Sequence, residues 1–236
     1  MIMKKILSIL AIMIAVVFSS VTFSSCSSDD DDDDARSLVF LEDPHTTIVG
    51  RVSKLSYSGN ATSWSSSNDF IASVKDEGIV TANHVGKCEV IALSGRRREK
   101  CTIDVKPIYT TYADPLVKWG ASKAEVKAYE KRYLKDEDNN TLYYTIDNGV
   151  AKGLSYNFKD GKLVAVLVVI EHDNRPSIAT ELAGFMKERY RVISVSTTES
   201  YFSDGKDAAS STTLVYTQIN PSGYNGYMWI YYIPYE

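Results

Sequence analysis

Three cysteines and three histidines are the side chains of this 236-residue chain most able to act as nucleophile, metal ligand or proton carrier. They are Cys26, Cys88, Cys101, His45, His84 and His172. A cysteine nucleophile needs a neighbouring base, and a zinc ion needs four ligands, so two cysteines without nearby partners cannot fill a tetrahedral site. A histidine could pair with a serine, but the Gly-x-Ser-x-Gly elbow that would expose such a serine is missing from the sequence. Glu171-His172-Asp173 is the most chemical-looking triplet. Successive side chains on a strand point to opposite faces, so Glu171 and Asp173 share a side and His172 points away, which reads as a strand-end loop. The acidic stretch Asp136–Asn140 lacks the glycine and terminal glutamate of a calcium hand, and no glycine-rich phosphate loop is present. The expectation is a chain with no catalytic residues, no metal site and no cofactor.

What remains is aromatic. Tyr227, Trp229 and Tyr231 alternate with Met228, Ile230 and Tyr232 near the C-terminal end. On a strand one of these sets packs under a covering layer and the other faces outward. An exposed Tyr227–Trp229–Tyr231 face is a stacking platform for sugar rings or a protein ligand. The bland alternative is that tyrosines simply suit strands. Tyr143, Tyr144 and Tyr224 extend either reading.

The N-terminal stretch says where such a surface would be placed. Lys4 and Lys5 precede an apolar run from Ile6 to Val21, then Phe23-Ser24-Ser25, Cys26, Ser27-Ser28 and six aspartates, Asp29–Asp34. This resembles a bacterial lipoprotein signal. The resemblance implies that residues 1–25 are a signal peptide and that Cys26 is lipidated (palmitate-type acylation), becoming the first residue of an outer-membrane-anchored protein. Phe23 departs from the leucine usual at that position. A retained membrane span and an ordinary secretory signal are the alternatives, though the apolar run is shorter than the roughly 20 residues a span requires. A block of like charge is a self-repelling tether; residues 26–36 form it, and the stretch from Ser27 to Arg36 would reach about 30 Å when extended. The acidic block also resembles a surface-export signal of some Gram-negative gut bacteria, and Ser27 an outer-membrane sorting residue. Display on the cell surface is therefore favoured over the periplasmic face.

The formal charge is −4. Removing Lys4 and Lys5 leaves −6, and removing the six aspartates as well leaves zero. The folded part lacks the basic footprint of nucleic-acid binding. Its composition divides in two, because fifteen of the sixteen tyrosines lie from Tyr109 onward.

Residues 37–106 read as short strands separated by turns, the pattern of an all-β sandwich. Trp64-Ser-Ser-Ser-Asn68, Ile71-Ala72-x-Val74, Gly78-Ile-Val80-Thr81-Ala82 and Gly86-x-Cys88-x-Val90-Ile91-Ala92 resemble the bacterial immunoglobulin-like domain, group 2. The family occurs in surface adhesins such as intimin and invasin and elsewhere as a spacer, so the resemblance implies exposure and extension, with no catalytic residue to carry over. Trp64 is expected between the two sheets. If Leu93 and Arg96 close a hairpin around Ser94-Gly95, Cys88 and Cys101 face each other, and in an oxidising compartment a disulfide is expected, worth about 3 kcal/mol. Arg96-Arg97-Arg98 at the tip is a solvated loop or a contact for anionic lipopolysaccharide.

Residues 107–236 change period. Ser122-Lys-Ala-Glu125 is a capping box, and Val126, Tyr129, Tyr133 and Leu134 predict a helix over 123–135. Strands are predicted at 142–146, 153–158 and 163–170, with Asp160-Gly161 as the tight turn and a strand covered on both faces at 164–170. A second helix over 178–189 precedes strands at 193–197, 214–219 and 227–233, with a further one near 199–202. Phe158-Lys-Asp-Gly-Lys162 is echoed by Phe202-Ser-Asp-Gly-Lys206. The order predicts a duplicated α-β-β-β unit: an α+β domain with two helices on one face of an antiparallel sheet. This arrangement looks like the β-lactamase-inhibitor-protein architecture. The functional expectation is a non-catalytic surface lipoprotein whose Ig-like stalk presents a head for glycan or protein. The alternative is a periplasm-facing assembly or inhibitor lipoprotein that docks through its sheet.

Overall fold

The computed structural model describes residues 38–146, 149–173, 175–219 and 226–236; Cys26, the aspartate block and Tyr224 lie outside them. The described chain is mostly β with two helices, neither long and apolar enough to cross a membrane. Its first part runs β1 (Val39–Phe40), β2 (His45–Ile48), β3 (Val52–Lys54), β4 (Tyr57–Ser58), β5 (Ser63–Ser66), β6 (Ala72–Lys75), β7 (Ile79–Ala82), β8 (Gly86–Ser94) and β9 (Arg97–Lys106). Two sheets, β2-β9-β8-β5 and β3-β7-β6, close on a core that includes Leu55, Val80, Val90 and Ile103. Period-two alternation builds it: on β8, Cys88, Val90 and Ala92 are buried while Glu89 and Ile91 are half-buried. Trp64 packs on the edge of that core, its ring 5.0 Å from Tyr57 and 6.0 Å from Phe40. Gly78 lies beneath it at φ +69°, where a Cβ would come within 2.9 Å of the indole.

The expected disulfide does not form: Cys88 and Cys101 are both free, buried thiols. The cause is register. The hairpin closes with Ser94 opposite Arg97, around Gly95-Arg96 and not Ser94-Gly95. Gly95 supplies the positive φ (58°) that the turn requires. Cys88 therefore faces Ile103, and Cys101 faces Val90, leaving the thiols diagonal to each other on one face.

The second part runs α1 (Lys123–Tyr129), β10 (Tyr133–Glu137), β11 (Thr141–Thr145), β12 (Ala151–Lys159), β13 (Lys162–Glu171), α2 (Pro176–Arg189), β14 (Arg191–Val195), β15 (Glu199–Ser203), β16 (Thr213–Ile219) and β17 (Tyr227–Pro234). All eight strands form one antiparallel sheet, ordered β10-β11-β12-β13-β17-β16-β15-β14. Each helix is followed by a four-stranded meander, and the halves meet where their last strands, β13 and β17, pair. The repeat is thus α-β-β-β-β, one strand longer than the sequence pattern suggests.

The extra strand in the first half comes from the predicted helix. The capping box forms, with Ser122 accepting from the Glu125 amide and Glu125 reaching back, but α1 stops at Tyr129. Buried Glu130 is drawn out of the helix by the Tyr156 hydroxyl and by Arg132, and the chain then extends so that Leu134 pairs with Tyr144. The two Asp-Gly-Lys echoes are not equivalent. One turns β12 into β13, whereas the other follows β15. β13 is central as expected, yet only one of its faces is covered: Val166, Val168 and Ile170 are buried, while Leu167 and Val169 are only half-buried.

The described residues form one compact unit, and α2 fastens it. The Val85 amide donates to the Glu188 carbonyl at 2.7 Å. The Glu188 carboxylate accepts from the amides of Ile108 and Tyr109. Arg189 meets Asp114 at 2.7 Å and lies 3.6 Å over the Phe185 ring. Glu188 and Arg189 are buried and paired, as a desolvated charge requires, while Asp114 is half-exposed.

Candidate binding face

Alternation on β17 sends Met228, Ile230 and Tyr232 into the core beneath the helices, leaving Tyr227, Trp229 and Tyr231 half-buried on the opposite face. The helix-side tyrosines are structural. Tyr232 and Tyr112 bond hydroxyl to hydroxyl at 2.6 Å, and burial holds both phenols well above the usual range. The predicted aromatic set is therefore on the helix-free side of the sheet.

Register extends that set across neighbouring strands. Tyr231 lies opposite Tyr216 on β16, and Tyr216 opposite Tyr201 on β15. The Tyr216 and Tyr231 rings stack at 4.4 Å and 11°, and the Tyr201 and Tyr216 rings at 6.0 Å and 23°. Trp229 sits edge-on to Tyr231 at 6.1 Å. On the other side Tyr231 faces Leu167 and Trp229 faces Val169, so apolar surface continues onto β13. Nothing in the sequence marks Tyr201 and Tyr216. They lie on different strands, and only the register aligns them.

The rim is polar. Glu171 pairs with Lys152 at 2.6 Å and accepts from the Tyr227 hydroxyl at 3.1 Å. The lysine lowers the Glu171 carboxyl, and Glu171 in turn raises the Tyr227 phenol. Tyr201 donates to Glu199 at 3.0 Å, which raises its phenol, and burial raises those of Tyr216 and Tyr231. The ladder stays neutral, with its hydroxyls protonated, at physiological pH. Tyr143 is exposed, but Tyr144 belongs to the core, edge-on to Tyr156.

The other chemical candidates do not converge. His172 is buried, Glu171 is engaged by Lys152, and Asp173 meets Arg175 at 3.5 Å. Among the described residues no group of three or more His, Cys, Asp or Glu side chains could hold a metal. One arrangement escaped the sequence: His45 Nε2 lies 2.8 Å from Ser53 Oγ, and His45 Nδ1 3.1 Å from Glu42. That is the order of a nucleophilic relay. His45 is buried, however, and joins β2 of one sheet to β3 of the other. Its geometry is that of a pin between two sheet edges. A polar hollow of about 340 Å³ lies between Asn68–Phe70 and Asp204–Lys206. Its Asp204 carboxylate is already used by the amides of Thr212 and Thr213 and the Thr212 hydroxyl.

Residues 49–105 match the bacterial Ig-like domain (group 2). No curated protein matches the chain. Among solved structures, the chain is similar to domains 4–9 of the surface layer protein SbsC at 12% identity and a TM-score of 0.26, covering 86% of this chain and 27% of that one. It is likewise similar to domains 5–6 of the S-layer protein SbsC at 12% identity and a TM-score of 0.24, covering 85% of this chain and 83% of that one. The chain thus spans about a quarter of the first of these structures, and neither likeness is close enough to assign a fold.

Proposed function

We propose that this protein is a non-catalytic envelope lipoprotein, anchored in the outer membrane through Cys26 and displayed on the cell surface. Its Ig-like residues 37–106 act as a stalk. Residues 107–236, an α+β domain, bind a protein partner on the helix-free face of the sheet. The Ig-like match at residues 49–105 and the lipoprotein-like start support the address. The aromatic ladder supports the binding role.

One observation favours a protein ligand over a glycan: Tyr216 and Tyr231 stack on each other at 4.4 Å. A sugar ring stacks on an open aromatic face, and here those faces are turned toward each other. Rings stacked across strands present edges and hydroxyls outward, and tyrosines of this kind are the anchors enriched at protein interfaces. Trp229 is the residue on which a glycan reading would have to rest.

Two measurements test the proposal. Proteinase treatment of intact cells should remove residues 107–236; survival until the outer membrane is opened, with lysate controls digested, would support the periplasm-facing docking alternative. A photocrosslinking residue at Tyr216 should then capture a discrete partner that the same residue at Tyr133, which is 75% exposed on the edge strand, does not. Equal capture from both positions would sink the assigned face.

A further inference from the structure

Strand β14, at the edge of the sheet, is left largely exposed, from Val192 to Val195. Leu182, Met186, Phe202 and Met228 floor a cleft of about 230 Å³ between the helix and strands β14–β16. The opening exists because α2 presents Ala179 and Ala183 there, and these side chains are too short to close onto the sheet. Val195 stands at the mouth with 66% of its surface exposed, although it borders an apolar hollow. Lys187 is the one charged side chain in the lining, and among the described residues no carboxylate lies within ion-pair distance of it.

We propose that this cleft binds a free medium-chain carboxylate, with the acyl tail on the Leu182–Met186–Phe202–Met228 floor and the carboxylate at Lys187. Three features of the cleft argue for that chemistry. The lining is apolar, so the buried part of the ligand must be apolar. An unpaired cation at the rim selects an anionic head over a neutral or cationic one. The volume sets the length: a cavity of about 150 Å³ holds benzene, so by proportion this one takes roughly nine carbons. Met186 and Met228 are flexible and adapt to an unbranched tail. The aromatic ladder lies on the opposite face, so this site stands whether or not the ladder binds a protein.

The test uses the full-length protein in envelope membranes and a diazirine-bearing decanoic acid as photoprobe. Label should concentrate on peptides carrying Met186 or Phe202 and be displaced by unlabelled decanoate. Ala183→Trp, a change at an exposed helix position, should reduce labelling at least tenfold. Lys187→Glu, also exposed, should cut labelling by the acid at least fivefold and leave labelling by the corresponding decanol probe unchanged. Label spread evenly over the chain, or unaffected by Ala183→Trp, overturns the proposal. So does labelling by a diazirine phospholipid that decanoate fails to compete, because the tail would then come from the bilayer.

Discussion

The backbone amide of Val85 donates to the carbonyl of Glu188 at 2.7 Å, linking the loop before β8 to the last turn of α2. The carboxylate of the same residue accepts from Ile108 and Tyr109 at 2.9 and 3.1 Å. One buried side chain therefore fixes the path by which the chain leaves the Ig-like sandwich. Glu188→Ala removes the acceptor of two part-buried amides and one of several acceptors of the Arg189 guanidinium, and a lost hydrogen bond to a charged group costs about 1.5–3 kcal/mol. The expected outcome is a loss of about 2 kcal/mol in urea unfolding, with Glu188→Gln losing less because its amide oxygen still accepts. An unchanged midpoint for Glu188→Ala would remove this residue from the junction.

The stacking of Tyr216 on Tyr231 separates two ways of using the aromatic face. If the hydroxyls meet the partner, Tyr216→Phe with Tyr231→Phe keeps the stack and removes those contacts. Partner affinity should fall about tenfold, the equivalent of about 1.4 kcal/mol, while stability moves by less than about 0.5 kcal/mol. If ring faces did the binding, the double phenylalanine variant would bind as well as the parent. Titrating the crosslinked partner, once identified, against both proteins gives the answer.

Much of this was legible in the residues, and the failures have particular causes. Alternation in β8 and β17, the capping box at Ser122 and the apolar stripe of α2 are local patterns, and each forms where its period places it. The helix over 123–135 failed after Tyr129 because Glu130 bonds Tyr156, a residue 26 positions away, and spacing along the chain carries no sign of that bond. The cysteine pairing failed on a one-residue shift at the Gly95-Arg96 turn, which moves every partner across the hairpin by two. Trp229 and Tyr231 stand out as neighbours on one strand. Tyr216 and Tyr201 join them only through the pairing of β15, β16 and β17, an order set by the whole sheet.

That hairpin shift has a chemical consequence. Cys101 is fully buried and Cys88 is 6% exposed. Burial raises both thiols above their ordinary range, disfavouring the reactive thiolate. A thiol reagent at pH 8 should therefore label neither in the folded protein and both after denaturation, and reductant should leave the unfolding midpoint unchanged. A bonded pair would behave oppositely: no titratable thiols after denaturation, and a loss of about 3 kcal/mol on reduction.

The cap of α1 should set part of the acid response. Glu125 accepts from Lys118 at 2.5 Å and from the amide and hydroxyl of Ser122 at 2.9 and 3.0 Å, and these contacts, the lysine's foremost, lower its carboxyl from 4.5 to about 2. The folded value lies below the unfolded one, so the unfolded state takes up the proton first on acidification. The stabilisation is therefore complete above about pH 4.5 and is lost as pH falls toward about 2. Glu125→Gln keeps an acceptor for the Ser122 amide but no longer titrates. Its unfolding midpoint should fall less steeply than the parent's between pH 4.5 and 2 and match the parent more closely at the acid end. Because Glu125 is solvent-exposed, 1 M salt, with a screening length near 3 Å, should narrow the difference at neutral pH. Parallel acid limbs for the two proteins would mean that the Glu125 carboxyl titrates alike in the folded and unfolded states, and that its charge contributes nothing to folding through Lys118 or Ser122.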